Sequence, residues 1–186
     1  MHTAKPATTQ HPTSPATTAT PQRVRCHYAS PLGPMTLAAS DQGLAGVWFD
    51  GQKHMPNTLA WPVHASHPVL QQAVAELQQY FAGARTQFGV ALDTNQGTAF
   101  QQQVWHALQG IGSGSTMAYG QLAQRIGKPA AVRAVGAAVG RNPISIIIPC
   151  HRVVGANGAL TGYAGGLERK VALLHREQTG QTTIPA

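Results

Sequence analysis

Acidic side chains are scarce in this chain of 186 residues: six Asp and Glu stand against 13 Lys and Arg, a formal net charge of +7 at neutral pH. The shortage is uneven. Residues 1–99 carry five cations and four acids, a net of +1, whereas residues 100–186 carry eight and two, a net of +6. A basic half of this kind points to a polyanionic partner, and nucleic acid is the usual one. Cysteine is scarcer still, with only Cys26 and Cys150. Two thiols this far apart make neither a disulfide framework nor a CxxC pair, which fits a reducing compartment. No apolar run is long enough to span a bilayer, and the first residues lack the apolar core of a secretory signal. The chain therefore reads as a cytoplasmic protein without a membrane partner. Its length allows one large domain or two small ones.

Residues 1–21 are mostly Thr, Pro, Ala and Gln without hydrophobic period. Such a segment buries too little apolar surface to offset its ordering entropy, so a disordered tail is expected. Residues 22–95 read as a small α/β supporting domain. Strands are expected at Val24 to Tyr28, Met35 to Ala39 and Leu44 to Phe49, with turn signals at Pro31-Leu-Gly-Pro34 and Asp41-Gln-Gly43. Leu70, Val74, Leu77 and Phe81 recur at helical spacing between His67 and Phe81, and Gly83 supplies a stop. No chemical constellation stands out in this half.

A second domain is expected over residues 97–180. Thr98-x-x-Gln101 is a capping-box pattern, followed by an apolar stripe of Phe100, Val104 and Leu108. Gly110 to Ser115 reads as a loop. Tyr119 to Ile126 reads as a short helix ended by Gly127-Lys-Pro129, and Ala130 to Val139 as a second ended by Gly140. Two helices joined by a short turn containing Gly form a helix-turn-helix signal, one that many helical hairpins share. The second helix is built from Ala, Val and Gly with one long cation, Arg133. Small side chains allow a close approach to another surface, either a packed helix or a ligand. A last helix is expected from Leu167 to Gln178, with Leu167, Val171 and Leu174 as its core stripe.

Ile144-Ser-Ile-Ile-Ile148 has the β-branched run of a buried strand, which Pro149 would end. Cys150 and His151 follow, so a thiol would sit on a rigid element yet within reach of a partner. A free thiol titrates near about 8.5 and needs a base or a positive field to ionise at neutral pH. His151 and Arg152 are candidates for that task. Adjacent side chains on an extended segment point apart, so a bridging water would carry the proton to His151. Glu177 could orient the imidazole as the third member of a Cys–His–acid relay. An inert buried thiol and a surface Glu are the plain alternatives.

Ile148-Pro-Cys-His-Arg-Val153 resembles the active-site signature of the O6-alkylguanine-DNA alkyltransferases. Arg133-Ala-Val-Gly136, Asn142-Pro143, Tyr119-Gly-Gln-Leu-Ala123 and Gly162-Tyr-Ala-Gly-Gly166 match the same family in order and spacing. The match spans roughly residues 22–180, is densest from Gly97 to Glu177, and looks closest to the bacterial Ogt-type members. The resemblance implies an α+β chain: an RNase H-like small sheet domain, then a mainly helical, winged helix-turn-helix-like domain carrying the acceptor Cys. It implies a suicidal transferase acting on O6-alkylguanine in double-stranded DNA, a monomer with no cofactor. Cys150 would be the alkyl acceptor, with His151 taking its proton through water and Glu177 holding the imidazole. Asn142 would brace the active-site turn, and Tyr119 would protonate the departing guanine. Arg133, on a recognition helix that also carries Gly136, would fill the gap left by the extruded base. Val153, Tyr163 and Ala164 would line the base pocket. Some members bind zinc in the first domain, but Cys26 does not match that position, so no metal is expected. Ala164 replaces a hydroxyl residue of some relatives, which removes one hydrogen bond to the base. A lesion-binding protein without transfer chemistry, and a cysteine hydrolase, are the competing readings.

Overall fold

The computed structural model describes residues 23–181, so the tail expected at 1–21 lies outside the described residues. The first part is an antiparallel sheet of β1 (Val24–Ser30), β2 (Gly33–Ser40) and β3 (Gly43–Phe49), in that order. Register is fixed by pairs such as Cys26↔Leu37 and Met35↔Phe49. Helix α1 (Pro68–Phe81) opens with Pro, where the missing N–H is no loss. It lays Leu70, Ala73, Leu77 and Tyr80 onto the sheet. Gly46 is needed where it stands, because a Cβ there would meet the Trp48 ring at 1.7 Å.

Every residue of β3 is buried, which an edge strand achieves only if something covers its edge. Two segments do so. Leu44 exchanges backbone bonds with Ala91 and Asp93, and Val47 with Pro143 and Ser145. The second of these belongs to the other half of the chain, so the two halves share a sheet edge.

Helix α2 (Ala99–Gln109) starts with the expected capping box: Thr98 Oγ1 accepts from Gln101 N–H, and Gln101 Oε1 from Thr98 N–H. Its Trp105 indole N–H donates 2.9 Å to Ala138 O, tying it to α4. Then come β4 (Met117–Ala118), α3 (Tyr119–Arg125), a 3-10 turn at Pro129–Ala131, and α4 (Val132–Gly140). The expected second helix thus begins with a tighter turn at the proline and becomes α-helical only at Val132. Strand β5 (Val153–Val154) pairs in parallel with β4. Helix α5 (Leu167–Thr179) closes the fold.

Two expectations fail. Ile144 to Ile148 is not a strand but a buried chain of turns, in which Ile144 alone bridges to Val47 and Ile146 adopts φ of 73°. The β-branched side chains are there to fill the core between the domains. The backbone polar groups are met by turn bonds such as Ile148 N–H to Ile144 O, by the Ser145 N–H bond to Val47 O, and by the Asn142 side chain, rather than by a continuous ladder. The second failure is the stripe of α5. Leu167 is exposed and Val171 only half-buried, whereas Lys170, Ala172, Leu173, Leu174 and Arg176 are buried. A face carrying Lys and Arg was not recognisable as the inward one from hydrophobicity. Among the described residues no helix is long and apolar enough to cross a membrane.

Candidate active site

Asn142 is the nucleus of the site. Its Oδ1 accepts from Ile144 N–H at 3.0 Å, and its Nδ2 donates to Ile148 O at 2.8 Å and to Cys150 Sγ at 3.0 Å. One amide thus closes the turn and holds the sulfur at its end. Cys150 opens a 3-10 turn, Cys150–Arg152, rather than continuing an extended segment. The thiol is buried, and burial pushes its pKa up to about 11. Asn142, the Lys170 ammonium and the backbone N–H groups of Cys150 and His151 act in the opposite direction. Arg152, the expected source of positive field, is engaged elsewhere. Lys170 supplies the field instead, anchored by Nζ–H donation to Val153 O at 2.6 Å and Thr161 O at 2.7 Å.

His151 is fully buried. Its Nε2 lies 2.8 Å from Glu177 Oε1 and, facing an ionised carboxylate, must carry the proton. Nδ1 is then a lone pair, and it has no hydrogen-bond partner among the described residues. Burial lowers the His151 pKa, so the imidazole is neutral and its free nitrogen basic at neutral pH. Glu177 is fixed from several sides. Arg152 donates to both oxygens at 2.9 Å, Gly114 N–H to Oε2 at 3.1 Å, and the Tyr80 hydroxyl to Oε1 at 2.8 Å. Arg152 also donates to Ile111 O. Although burial alone would raise it, the Glu177 pKa is held far below the carboxylate range by His151 and Arg152.

The parallel pair β4–β5 matches Met117 with Val153 and Ala118 with Val154, and Tyr119 opens α3 directly after β4, near enough to Cys150 to feel charge on its sulfur. Tyr119 lines a cleft of about 200 Å³ with Gly136 and Gly140 of α4 and with Tyr163 and Ala164. Burial raises the Tyr119 phenol, an effect eased by a Thr161 hydrogen bond and reinforced by charge on Cys150. Tyr163 is raised well above the ordinary range by burial and by Cys150. Its hydroxyl reaches no partner at bonding distance among the described residues, although Ser145 lies near enough to ease its ionisation. Val153 is buried beneath the site and Arg133 stands exposed on α4. Cys150, His151, Asn142 and Glu177 are therefore brought together at bonding distances, with Tyr119, Tyr163, Ala164 and Gly136 around the cleft beside them.

Sequence reasoning missed the first domain's share. Lys53 and His54 line the cleft, and Lys53 N–H bonds Ala164 O at 3.1 Å. Gln52 Oε1 accepts from the Ser145 hydroxyl at 3.3 Å. Tyr80 reaches Glu177. The signal for Tyr80 was a phenol beside a core stripe, since a buried hydroxyl needs a partner. Among the described residues no group of three His, Cys, Asp or Glu could hold a metal.

Two family models match the chain: 6-O-methylguanine DNA methyltransferase, ribonuclease-like domain, over residues 24–94, and the DNA binding domain of the same family over residues 99–179. A methylated-DNA–protein-cysteine methyltransferase of Mycobacterium bovis is 49% identical over 156 residues, covering 82% of this chain and 93% of its own length. The protein of the same name from Methanosarcina acetivorans is 47% identical, covering 81% and 95%. The crystal structure of Mycobacterium tuberculosis OGT in complex with DNA superposes with a TM-score of 0.78 at 46% identity, covering 84% of this chain and 94% of that one.

Proposed function

This chain belongs to the 6-O-methylguanine DNA methyltransferase family as a methylated-DNA–protein-cysteine methyltransferase, and we propose that Cys150 Sγ is the acceptor that takes the alkyl group from O6 of guanine. The observation that carries the assignment is the buried pair of contacts at one turn: Asn142 on the sulfur at 3.0 Å and Glu177 on His151 Nε2 at 2.8 Å, with His151 Nδ1 left as a basic lone pair.

The thiol proton passes through a water to His151 Nδ1, and Glu177 and Lys170 stabilise the imidazolium and thiolate that result. The sulfur attacks the saturated carbon. An S–C bond forms, the C–O6 bond breaks, and its electron pair goes to the guanine. Tyr119, whose raised pKa keeps it protonated, gives its proton to the departing base. The product is a thioether, a bond stable to hydrolysis at neutral pH, so each molecule acts once.

O6 lies inside the stack, so the nucleotide must be extruded into the cleft of Tyr119, Tyr163 and Ala164 over Val153, at a cost of a few kcal/mol. Arg133 occupies the vacancy, and Gly136 lets the backbone of α4 approach the groove. The working unit is a supporting domain over residues 22–95 and an acceptor domain over 97–180, acting as a cytoplasmic monomer on double-stranded DNA. Mixing the protein with duplex DNA carrying one O6-methylguanine, followed by intact-protein mass and peptide mapping, tests this. One methyl gained at Cys150 and no further reaction is the expected result. Lesion binding with no mass change would replace it with a lesion-sensing role.

A further inference from the structure

Tyr80 belongs to α1 in the first domain, yet its hydroxyl ends on the carboxylate of the relay. It donates to Glu177 Oε1 at 2.8 Å, the oxygen that also receives His151 Nε2–H. The Tyr80 ring is fully buried, with the Arg176 guanidinium stacked 3.8 Å from its centroid and Phe81 and Phe88 packed around it. The phenol therefore has one place to point. From this geometry we infer that Tyr80 is a positioning residue of the transfer reaction, through which the first domain sets the basicity of His151.

A carboxylate oxygen has limited electron density to share. Each additional donor on Oε1 weakens the bond that the same oxygen accepts from His151, and so weakens its support of the imidazolium. Tyr80 thus moderates the relay: it keeps His151 weak enough to be unprotonated at neutral pH, ready for the Cys150 proton. The surrounding charges are all accounted for. Arg152 from the active-site turn and Arg176 from α5 face the carboxylate and the phenol, and Lys170 faces His151 and Cys150. Because Arg152 holds both oxygens of Glu177, loss of the phenol leaves the carboxylate ionised and in place, and shifts the imidazole rather than the anion.

The inference rests on the relay reading above. Its test is Tyr80→Phe, which keeps the ring, the core packing and the Arg176 stack. In the DNA-free protein, ring NMR titration of His151, assigned by comparison with His151→Gln, should show its pKa rising by roughly 0.5–1 unit, the size of one neutral hydrogen bond. In single-turnover transfer from duplex O6-methylguanine DNA, the acidic limb of the rate–pH profile should move up by the same amount, with the rate recovered above it. An unmoved His151 titration, or a uniform fall in rate at every pH, would overturn the inference and leave Tyr80 a packing residue. The NMR readout needs no transfer, so a wild-type protein that failed to transfer would sink the relay reading alone.

Discussion

At the residue scale, the site turns on Asn142. Its side chain ties both ends of a buried turn while holding the Cys150 sulfur, so the turn and the position of that sulfur depend on the same amide. Asn142→Ala removes the acceptor for Ile144 N–H and the donors to Ile148 O and Cys150 Sγ. Losing these buried bonds should cost about 2–4 kcal/mol. It should also slow transfer, because one of the groups opposing the upward push on the Cys150 thiol is gone. Urea unfolding measures the first effect and single-turnover kinetics the second. A variant unchanged in both would show that the turn is held by the backbone alone. The role of Asn142 came from resemblance. The reason for it, a buried run of isoleucines folded as turns rather than a strand, is visible only in the structure.

At the element scale, what could be read from the chain depended on whether local chemistry or distant packing shapes an element. The three strands of the first sheet, α1 and the Thr98–Gln101 cap lie where alternation, helical period and capping place them, because each signal acts within a few residues. Ile144 to Ile148 misled because its β-branched run answers to burial between two domains, and burial does not prescribe extended backbone. Helix α5 misled for the converse reason: Lys170 and Arg176 face inward to meet Val153 O, Thr161 O and Tyr80. Helix α4 was legible in composition but not in purpose. It is buried through Val135, Ala138 and Val139, and leaves Arg133 free on its outer face. If that side chain fills the space of an extruded nucleotide, Arg133→Ala should slow repair of duplex DNA roughly 10- to 100-fold, a part of the flipping cost. Reaction with free O6-methylguanine should be unchanged. Equal loss on both substrates would place Arg133 in the chemistry or the fold rather than in extrusion.

At the scale of the whole molecule, the +6 of the second half overstates what reaches solvent. Arg152, Lys170 and Arg176 are buried, and Arg169 is half-buried, bonded to Leu32 O and Gly165 O and stacked over Phe49. The exposed cations of that half are Arg125, Lys128, Arg133 and Arg141, all along α3, the turn and α4, a stretch that holds no acid. The charge seen in the sequence thus divides by place: one set is buried around Glu177, Cys150 and the contact between the two halves, the other faces outward as a compact patch. A patch of four cations can neutralise about four phosphates, which predicts a slope of about −3 to −4 when log affinity for duplex DNA is plotted against log salt. Charge on Lys53, at the mouth of the cleft, would steepen it slightly. Binding measured across a salt series checks the number. A slope near −1 would mean that the patch is not the docking surface, and that the lesion is found through the cleft itself. A slope near −7 would mean that the interface extends beyond this patch of four cations.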